Sequence, residues 1–146
     1  MAKWIVENEY VQTTLEKLDD ATQRRIMHKM LENGSKVLIK EMQGSIESHH
    51  HVVHSWMKNS VAAGKVYEDV DSMSIDVYPQ GTDPRGVSNE MKAKIINYGY
   101  YNKDTGYRIK KKDFFLNDKF RKKCEPHLNG VMNYTLQLCM QELGND

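Results

Sequence analysis

The sequence predicts a single α+β domain: a long N-terminal helix and a C-terminal helix packed on a small antiparallel sheet, with a short helix between strands. Apolar residues recur every three or four positions over residues 19–47 and again over 117–143, which is typical of helices with one buried face. In "VDSMSIDVY" apolar and polar residues alternate, which is typical of a strand with one buried face. A chain of 146 residues is long enough to bury one core.

The first long helix is predicted over residues 19–47, after an N-terminal extension of residues 1–18. Asp19 or Asp20 can cap its start. Gly34 and Gly44 each cost about 1 kcal/mol relative to alanine inside a helix, so they either allow close backbone packing or mark a bend. The helix has one apolar stripe, formed by Met27, Met30, Leu31, Val37, Leu38, Met42 and Ile46.

The middle of the chain, residues 60–110, carries the strands, a loop and the short helix. "VAAGKVYEDV" and "VDSMSIDVY" are expected to pair as antiparallel strands with a turn or bulge near Gly64 and Lys65, and "GYRIK" is a possible third strand. Between them "YPQGTDPRGVS" is dense in Pro, Gly and Asp, which predicts an exposed loop.

After this loop, Ser88 stands where a helix cap is expected, and Gly99 closes the short helix. The apolar residues of that helix, Met91, Ile95 and Tyr98, form one stripe. Because an amphipathic helix must cover its apolar face with a sheet or another helix, we expect the stripe to be packed.

The C-terminal region, residues 117–143, is predicted as two helices, short then long, because proline fits the first turn of a helix and not its interior. The break is expected near Pro126. The last helix has a predicted buried stripe of Leu128, Val131, Met132, Thr135, Leu138, Cys139 and Leu143.

Composition narrows the classes of function. Lysine and arginine number 21 against 20 acids, and the net charge of +1 gives no overall reason to expect a polyanion or an anionic membrane as partner. Cys124 and Cys139 form no CxxC pair, so we expect reduced, packed thiols in a cytosolic setting. No signal peptide or membrane span is evident, which predicts a soluble protein. Nucleotide-binding and hydrolase motifs are missing from the sequence as well.

The cluster "HHHVVH" suggests a metal site, because His50 and His54 have the one-turn spacing of two zinc ligands on a helix. The cluster, His49 to His54, lacks the glutamate of HExxH and an evident third ligand. The simpler interpretation places these histidines at the C-terminus of the first helix and in the loop that follows it. A small metal-dependent enzyme therefore remains an alternative function, while our expectation is no metal, no cofactor and no catalytic residue.

A second alternative is a nucleic-acid-binding module. The first helix carries basic residues away from its apolar stripe, and tyrosines farther along the chain offer stacking surfaces. Glu32 and Glu41 interrupt the basic face, and we expect no specific nucleic-acid partner. The basic positions are Arg24, Arg25, Lys29, Lys36 and Lys40.

The order of several segments resembles the small tail-component, or phage morphogenesis, family of long-tailed bacteriophages and prophages. After the long helix, "HSWMKNSV" stands in place of the family's Thr-Gly-x-Leu-like segment, which is partly kept at Ser55 to Lys58. "NEMKAKIINYGY" matches the family's aromatic followed by glycine at Asn97, Tyr98 and Gly99. "KKDFFLNDKF" matches its Phe-Leu segment before the last helix at Phe114, Phe115 and Leu116. The resemblance covers about residues 15 to 143.

The resemblance implies a virion structural protein of the neck or tail, made in the host cytoplasm, which forms a homo-oligomeric ring. Its other partners would be the neighbouring head-completion, connector and tail proteins. A ring needs two different patches per subunit. We expect the loop from residue 79 to 87 and the tyrosine-rich segment 98–107 to supply interface residues, namely Pro79, Asp83, Arg85, Tyr98, Tyr100, Tyr101 and Tyr107.

Overall fold

The computed structural model describes residues 8–49, 56–69, 72–98, 100–106, 108–109 and 118–144. The described elements follow in the order α1 (Glu9–Glu16), α2 (Asp20–His49), α3 (Trp56–Ser60), β1 (Val61–Glu68), β2 (Met73–Pro79), α4 (Asn89–Tyr98), β3 (Tyr100–Tyr101), β4 (Arg108–Ile109) and α5 (Asp118–Gly144). Long helices with a small antiparallel sheet confirm the predicted α+β class. None of the helices in these ranges is long and apolar enough to cross a membrane.

Helix α2 begins at the predicted cap. The side chain of Asp19 accepts a hydrogen bond from the backbone N–H of Thr22 at 3.1 Å, and hydrogen bonds from Thr22 lower the pKa of the Asp19 carboxyl. The helix runs through both glycines without interruption. A Cβ added at Gly34 would meet Leu128 of α5 at 3.7 Å, an ordinary contact, so Gly34 lies where α2 and α5 come together.

Helix α5 is continuous from Asp118 to Gly144, so the predicted break near Pro126 is wrong. Proline removes one hydrogen bond, to the carbonyl of Lys122, and both residues are exposed. Buried residues on either side of the proline, Cys124 before it and Leu136 after it, pack against the same neighbouring helix α2. Tertiary packing therefore holds the two halves of α5 in one helix.

The buried face of α5 differs from the predicted stripe. Thr135 and Cys139 are buried as predicted, but Leu138 is 42% exposed. Leu136, which the stripe omitted, is almost fully buried. The reason is that α5 has neighbours on two sides, α2 and α1, so a single stripe does not describe its buried surface.

Helices α2 and α5 share two hydrophobic clusters at different levels. One holds Val11 and Leu15 from α1, Ile26 and Met30 from the first half of α2, and Leu136 and Cys139 from α5. The other holds Met42, Ile46, Met57, Val61, Val77, Ala93, Phe120 and Cys124, from the second half of α2, the β1–β2 sheet and helices α3 and α4. Between the two levels, the Asn33 amide donates a hydrogen bond to the Thr135 hydroxyl at 3.1 Å.

The segment predicted as an N-terminal extension contains helix α1. Its Val11 and Leu15 are buried in the first cluster. Asn8 caps α1 by accepting a hydrogen bond from the N–H of Val11, and its amide donates to Asn129 at 3.2 Å and to Asn133 at 2.9 Å on α5. The polar cap thus also attaches α1 to α5.

Strands β1 and β2 pair antiparallel from Val61 opposite Pro79 to Glu68 opposite Met73. The register shifts between Ala63 and Val66, which confirms the bulge predicted near Gly64. The predicted third strand forms at Arg108–Ile109, but it pairs with Tyr100–Tyr101 in a separate ribbon rather than with the first sheet.

Replacing Pro126 by alanine should stabilise the protein by about 1–3 kcal/mol, because alanine restores the missing hydrogen bond inside a continuous helix. Urea denaturation measures the change in free energy of unfolding. Gln137→Ala, at an exposed position of the same helix, is the control and should change stability by less than about 0.5 kcal/mol. Equal stability of Pro126→Ala and the wild type would contradict this reading of α5.

Candidate assembly surface

Helix α4 presents its apolar stripe to solvent. The cap is as predicted, since the N–H of Met91 donates to the Ser88 hydroxyl at 3.2 Å. The helix packs on α3 and β2, and Asn89 and Ala93 are buried among those of its side chains that the structure describes. We call Met91, Ile95 and Tyr98 the α4 stripe.

Two members of the α4 stripe are among the most exposed large apolar side chains described. Met91 is 59% exposed, Tyr98 57%, and Ile95 half-buried. Tyr101, three residues beyond the helix on β3, is 53% exposed. The expectation that the stripe is packed within the chain is therefore wrong for Met91 and Tyr98, because the described buried residues of α4, Asn89 and Ala93, lie on another face of the helix.

The loop before α4 is organised around the buried carboxylate of Asp83. One oxygen accepts hydrogen bonds from the backbone N–H groups of Arg85 at 2.9 Å and Val87 at 3.0 Å. The other contacts the ammonium of Lys92 at 2.9 Å and the guanidinium of Arg85 at 3.2 Å. The loop is exposed over residues 81–82 and 84–87, as predicted, but the Asp83 side chain is fully buried. An aspartate in a turn commonly accepts a hydrogen bond from the N–H two residues on, as Asp83 does from Arg85, but turn composition does not predict that the carboxylate is buried beside Lys92.

These partners keep the Asp83 carboxyl group in its ionised form. Hydrogen bonding to Lys92, followed by the N–H of Val87, holds the pKa of Asp83 far below the ordinary carboxyl range. Asp83 therefore remains ionised at any physiological pH. Gly81 and Gly86 adopt positive φ angles of 70° and 81°, which glycine accepts without strain, and the loop closes through an isolated bridge between Thr82 and Ser88.

The predicted interface residues fall into three groups. Pro79 and Asp83 are buried, so they shape the loop from inside. Arg85, Tyr98 and Tyr101 are exposed and lie along the same stretch of loop, α4 and β3. Tyr100 belongs to β3, but its side chain, like Tyr107, lies outside the described residues.

Sequence reasoning missed two residues of this region. Lys92 is the partner of Asp83, and a lysine nine positions after an aspartate gives no signal of that contact. Asn89 donates a hydrogen bond through its amide to the carbonyl of Gln80 at 2.9 Å, while its buried Oδ1 accepts no hydrogen bond from the described residues. Asn89 lines an open depression of about 450 Å³ beside the loop.

The histidine cluster falls largely outside the described residues. The described part of helix α2 extends to His49, and His50, His51 and His54 lie outside the described residues, so the structure does not test either interpretation of the cluster. Within the described ranges, no group of three or more metal-ligating side chains occurs. The metal site therefore stays a hypothesis.

The basic face of α2 is partly paired with acidic side chains. Arg24 lies 3.3 Å from Asp20 and 3.4 Å from Glu68, and Lys29 lies 3.8 Å from Glu142 on α5. The remaining basic positions of that face, Arg25, Lys36 and Lys40, are exposed. These ion pairs lower the positive potential that the face presents to the phosphate backbone of a nucleic acid.

Both cysteines are buried, Cys124 in the second cluster and Cys139 in the first. Burial, together with nearby Glu41, raises the pKa of the Cys124 thiol to about 11. A thiol that is buried and protonated is a packing group.

Comparison of the chain with protein-family models, with curated proteins and with solved structures finds no match.

Asp83→Asn should lower the melting temperature at pH 7, because it removes the charge that holds Lys92 and Arg85. A depressed folded-state pKa stabilises the folded protein above the unfolded value of about 3.9, and that stabilisation is lost as the pH falls. The difference in melting temperature between variant and wild type should therefore shrink below about pH 4. Asp104→Asn, at an exposed turn, is the control, and an equal effect of the two variants would refute the role of Asp83.

The native protein should react slowly with a thiol reagent such as DTNB at pH 8, and both thiols should react at once in denaturant. The measurement is the absorbance of released thiolate with and without 6 M guanidinium, roughly the range in which most domains are unfolded. Rapid reaction of one thiol in the folded protein would show that the buried position assigned to Cys124 or Cys139 is wrong.

Proposed function

We propose that this protein is a virion structural component of a tailed bacteriophage or prophage, acting at the neck or in tail completion through ring-like assembly of identical subunits. The order of its sequence segments supports the phage assignment. The outward α4 stripe is the structural observation that carries the assembly role. The protein would act without catalysis or cofactor, in the virion and, before that, in the host cytoplasm.

The α4 stripe favours assembly because of its arrangement. Single exposed apolar side chains are ordinary on protein surfaces and need no explanation. Met91 and Tyr98 are seven residues apart on one helix, hence on the same face, and Tyr101 follows immediately on β3. Methionine and tyrosine are also enriched in the centres of protein interfaces.

The adjoining loop gives this surface a defined shape and charge. The contacts of Asp83 fix the backbone from residue 83 to 87, so the loop is built before a partner arrives. Arg85 has a side chain that is 71% exposed, and it can reach an acidic group on a neighbour. A preformed surface loses less conformational entropy on binding than a mobile loop does.

A ring requires that this surface contact a different patch on the next subunit. Neighbouring connector or tail proteins would contact further surfaces of the finished ring. The neck and tail-completion roles are both consistent with this assembly.

Tyr98→Asp should weaken self-association at least about tenfold, because a tyrosine buried at the centre of an interface contributes roughly 2 kcal/mol or more. Light scattering over a range of concentrations measures the oligomer, and complementation of a phage lacking the protein measures the joining of heads to tails. Because Tyr98 is exposed, the variant should keep the wild-type melting temperature.

Tyr10→Asp is the matched control, since Tyr10 is 64% exposed but lies on α1, away from α4. It should assemble as the wild type does. Normal particles from Tyr98→Asp, or equal loss in both variants, would contradict the assembly role of the α4 stripe. The proposed function would be contradicted if the wild-type chain stayed monomeric in light scattering and also failed to restore the joining of heads to tails in the complementation assay.

A further inference from the structure

The second half of helix α5 carries no charged residue. Residues 128–141 contain no aspartate, glutamate, lysine, arginine or histidine, although 28% of the chain is charged. The sides of this segment that pack on α1 and α2 are buried and need no charge. Its solvent-facing side lacks charge as well, whereas the exposed face of a surface helix usually carries charged residues. The exposed positions of the segment include Gly130, Tyr134, Gln137, Leu138 and Gln141.

Charged side chains do occupy exposed positions elsewhere on the same pair of helices. On α2 they include Arg25, Lys36 and Lys40, and in the first half of α5 they include Lys119 and Lys122. The lack of charge is therefore a local property of residues 128–141. Charged residues are depleted at the centres of protein interfaces, so this composition is typical of a surface that a partner covers.

The uncharged face has an apolar centre. Tyr134 is 62% exposed and Leu138 is 42% exposed. They are four residues apart on one helix, hence on the same side, and we call them the α5 pair. Gln137 and Gln141 lie within one or two turns of both. An amide can form hydrogen bonds across an interface without the larger desolvation cost of a charge.

The α5 pair lies at a different level of the helix pair from α4. Helix α4 buries Ala93 in the second cluster, beside Phe120 and Cys124 of α5. Tyr134 follows Cys124 by about 15 Å along the helix axis, and Leu138 follows it by about 21 Å. Both stand at the level of the first cluster, whose buried residues come from α1, α2 and α5. The chain therefore carries two apolar surfaces on different helices and at different levels.

We propose that the α5 pair of each subunit packs against the α4 stripe of a second copy of this chain. A closed ring requires two different patches on every subunit, and the α4 stripe supplies one of them. The α5 pair supplies the other, so each copy uses α5 toward one neighbour and α4 toward the next. The inference rests on the proposed function and names the second surface of its ring.

The two surfaces match in length and in charge. Helix α4 is about 15 Å long, and the uncharged segment 128–141 is about 20 Å long, so α4 can lie along it over its whole length. Neither the α4 stripe nor the α5 pair contains a charge, so the contact leaves no unpaired charge at its centre. Two helices of this length cover less than the roughly 800 Å² per partner of a standard interface, and Tyr101 with the loop before α4 would extend the contact.

Two variants that each lose one surface test this arrangement. Tyr134→Glu should by itself weaken self-association at least about tenfold, as Tyr98→Asp does, and it should keep the wild-type melting temperature because Tyr134 is exposed. Mixed in equal amounts, the two variants should form a heterodimer and no ring. The α5 pair of the Tyr98→Asp chain is intact, the α4 stripe of the Tyr134→Glu chain is intact, and the other surface of each is altered.

Light scattering over a range of concentrations measures the mass of each sample. A heterodimer in the mixture, with monomers in each variant alone, supports the contact and shows that both variants are folded. Lys122→Glu is the matched control, because it changes the charge of an exposed position on the same helix outside the uncharged segment. It should assemble as the wild type does. A mixture that stays as monomeric as its components, when the wild type forms rings, would overturn the inference.

Cross-linking gives a second measurement and leaves both apolar surfaces intact. Lys94→Cys places a thiol beside the α4 stripe of one chain, and Gln137→Cys places one beside the α5 pair of another chain that carries a size tag. A short thiol-to-thiol cross-linker should give the heterodimer from the mixed oligomer, and the buried native cysteines give a low background. Lys122→Cys replaces Gln137→Cys in the control mixture. Linking of Gln137→Cys only to itself would assign the face to a twofold contact and overturn the inference.

The two proposals fail differently. If Tyr98→Asp stops assembly while Tyr134→Glu assembles normally and Gln137→Cys links no faster than the control, the α5 contact is wrong and the assembly role of the α4 stripe stands. If Tyr134→Glu stops assembly while Tyr98→Asp assembles normally, the α5 face contacts a different surface, and both the pairing and the role of the α4 stripe are wrong.

Discussion

The antiparallel contact of α2 with α5 is the constraint on which the rest of this structure depends. The two helices are about 45 and 40 Å long, and each hydrophobic cluster takes residues from both. Full burial of an isoleucine such as Ile26 or Ile46 contributes about 1.5–3 kcal/mol, and neither finds enough apolar contact without the facing helix. The Asn33 to Thr135 hydrogen bond lies between the clusters and satisfies polar groups at the shared surface.

This helix pair also explains why the sheet can be so small. Two isolated strands are marginally stable in water, but β1 and β2 place Val61 and Val77 in the second cluster against α2 and Phe120 of α5. Helix α4 contacts β2 and α3, and its described buried residues are Asn89 and Ala93. The side chains of Met91 and Tyr98 are left at the surface, where a second subunit can cover them.

Electrostatic contacts give the proposed α4 interface its form. Asp83 fixes the conformation of its loop by accepting hydrogen bonds from two backbone N–H groups. It also forms an ion pair with Lys92, which belongs to α4. The loop and the α4 stripe are therefore positioned as one surface.

The sequence by itself determined the elements that depend on local physics: the start of α2 at Asp19, the cap of α4 at Ser88, the strand pair and its bulge at Gly64. These follow from side chains that hydrogen-bond to nearby backbone and from apolar periodicity. Only the tertiary structure decided that α5 continues through Pro126, that Asp83 is buried beside Lys92, and that Met91 and Tyr98 face outward. Each of these depends on what lies against the residue in space. Helix α2 packs on both sides of Pro126, Lys92 contacts Asp83, and neither Met91 nor Tyr98 belongs to the described hydrophobic core.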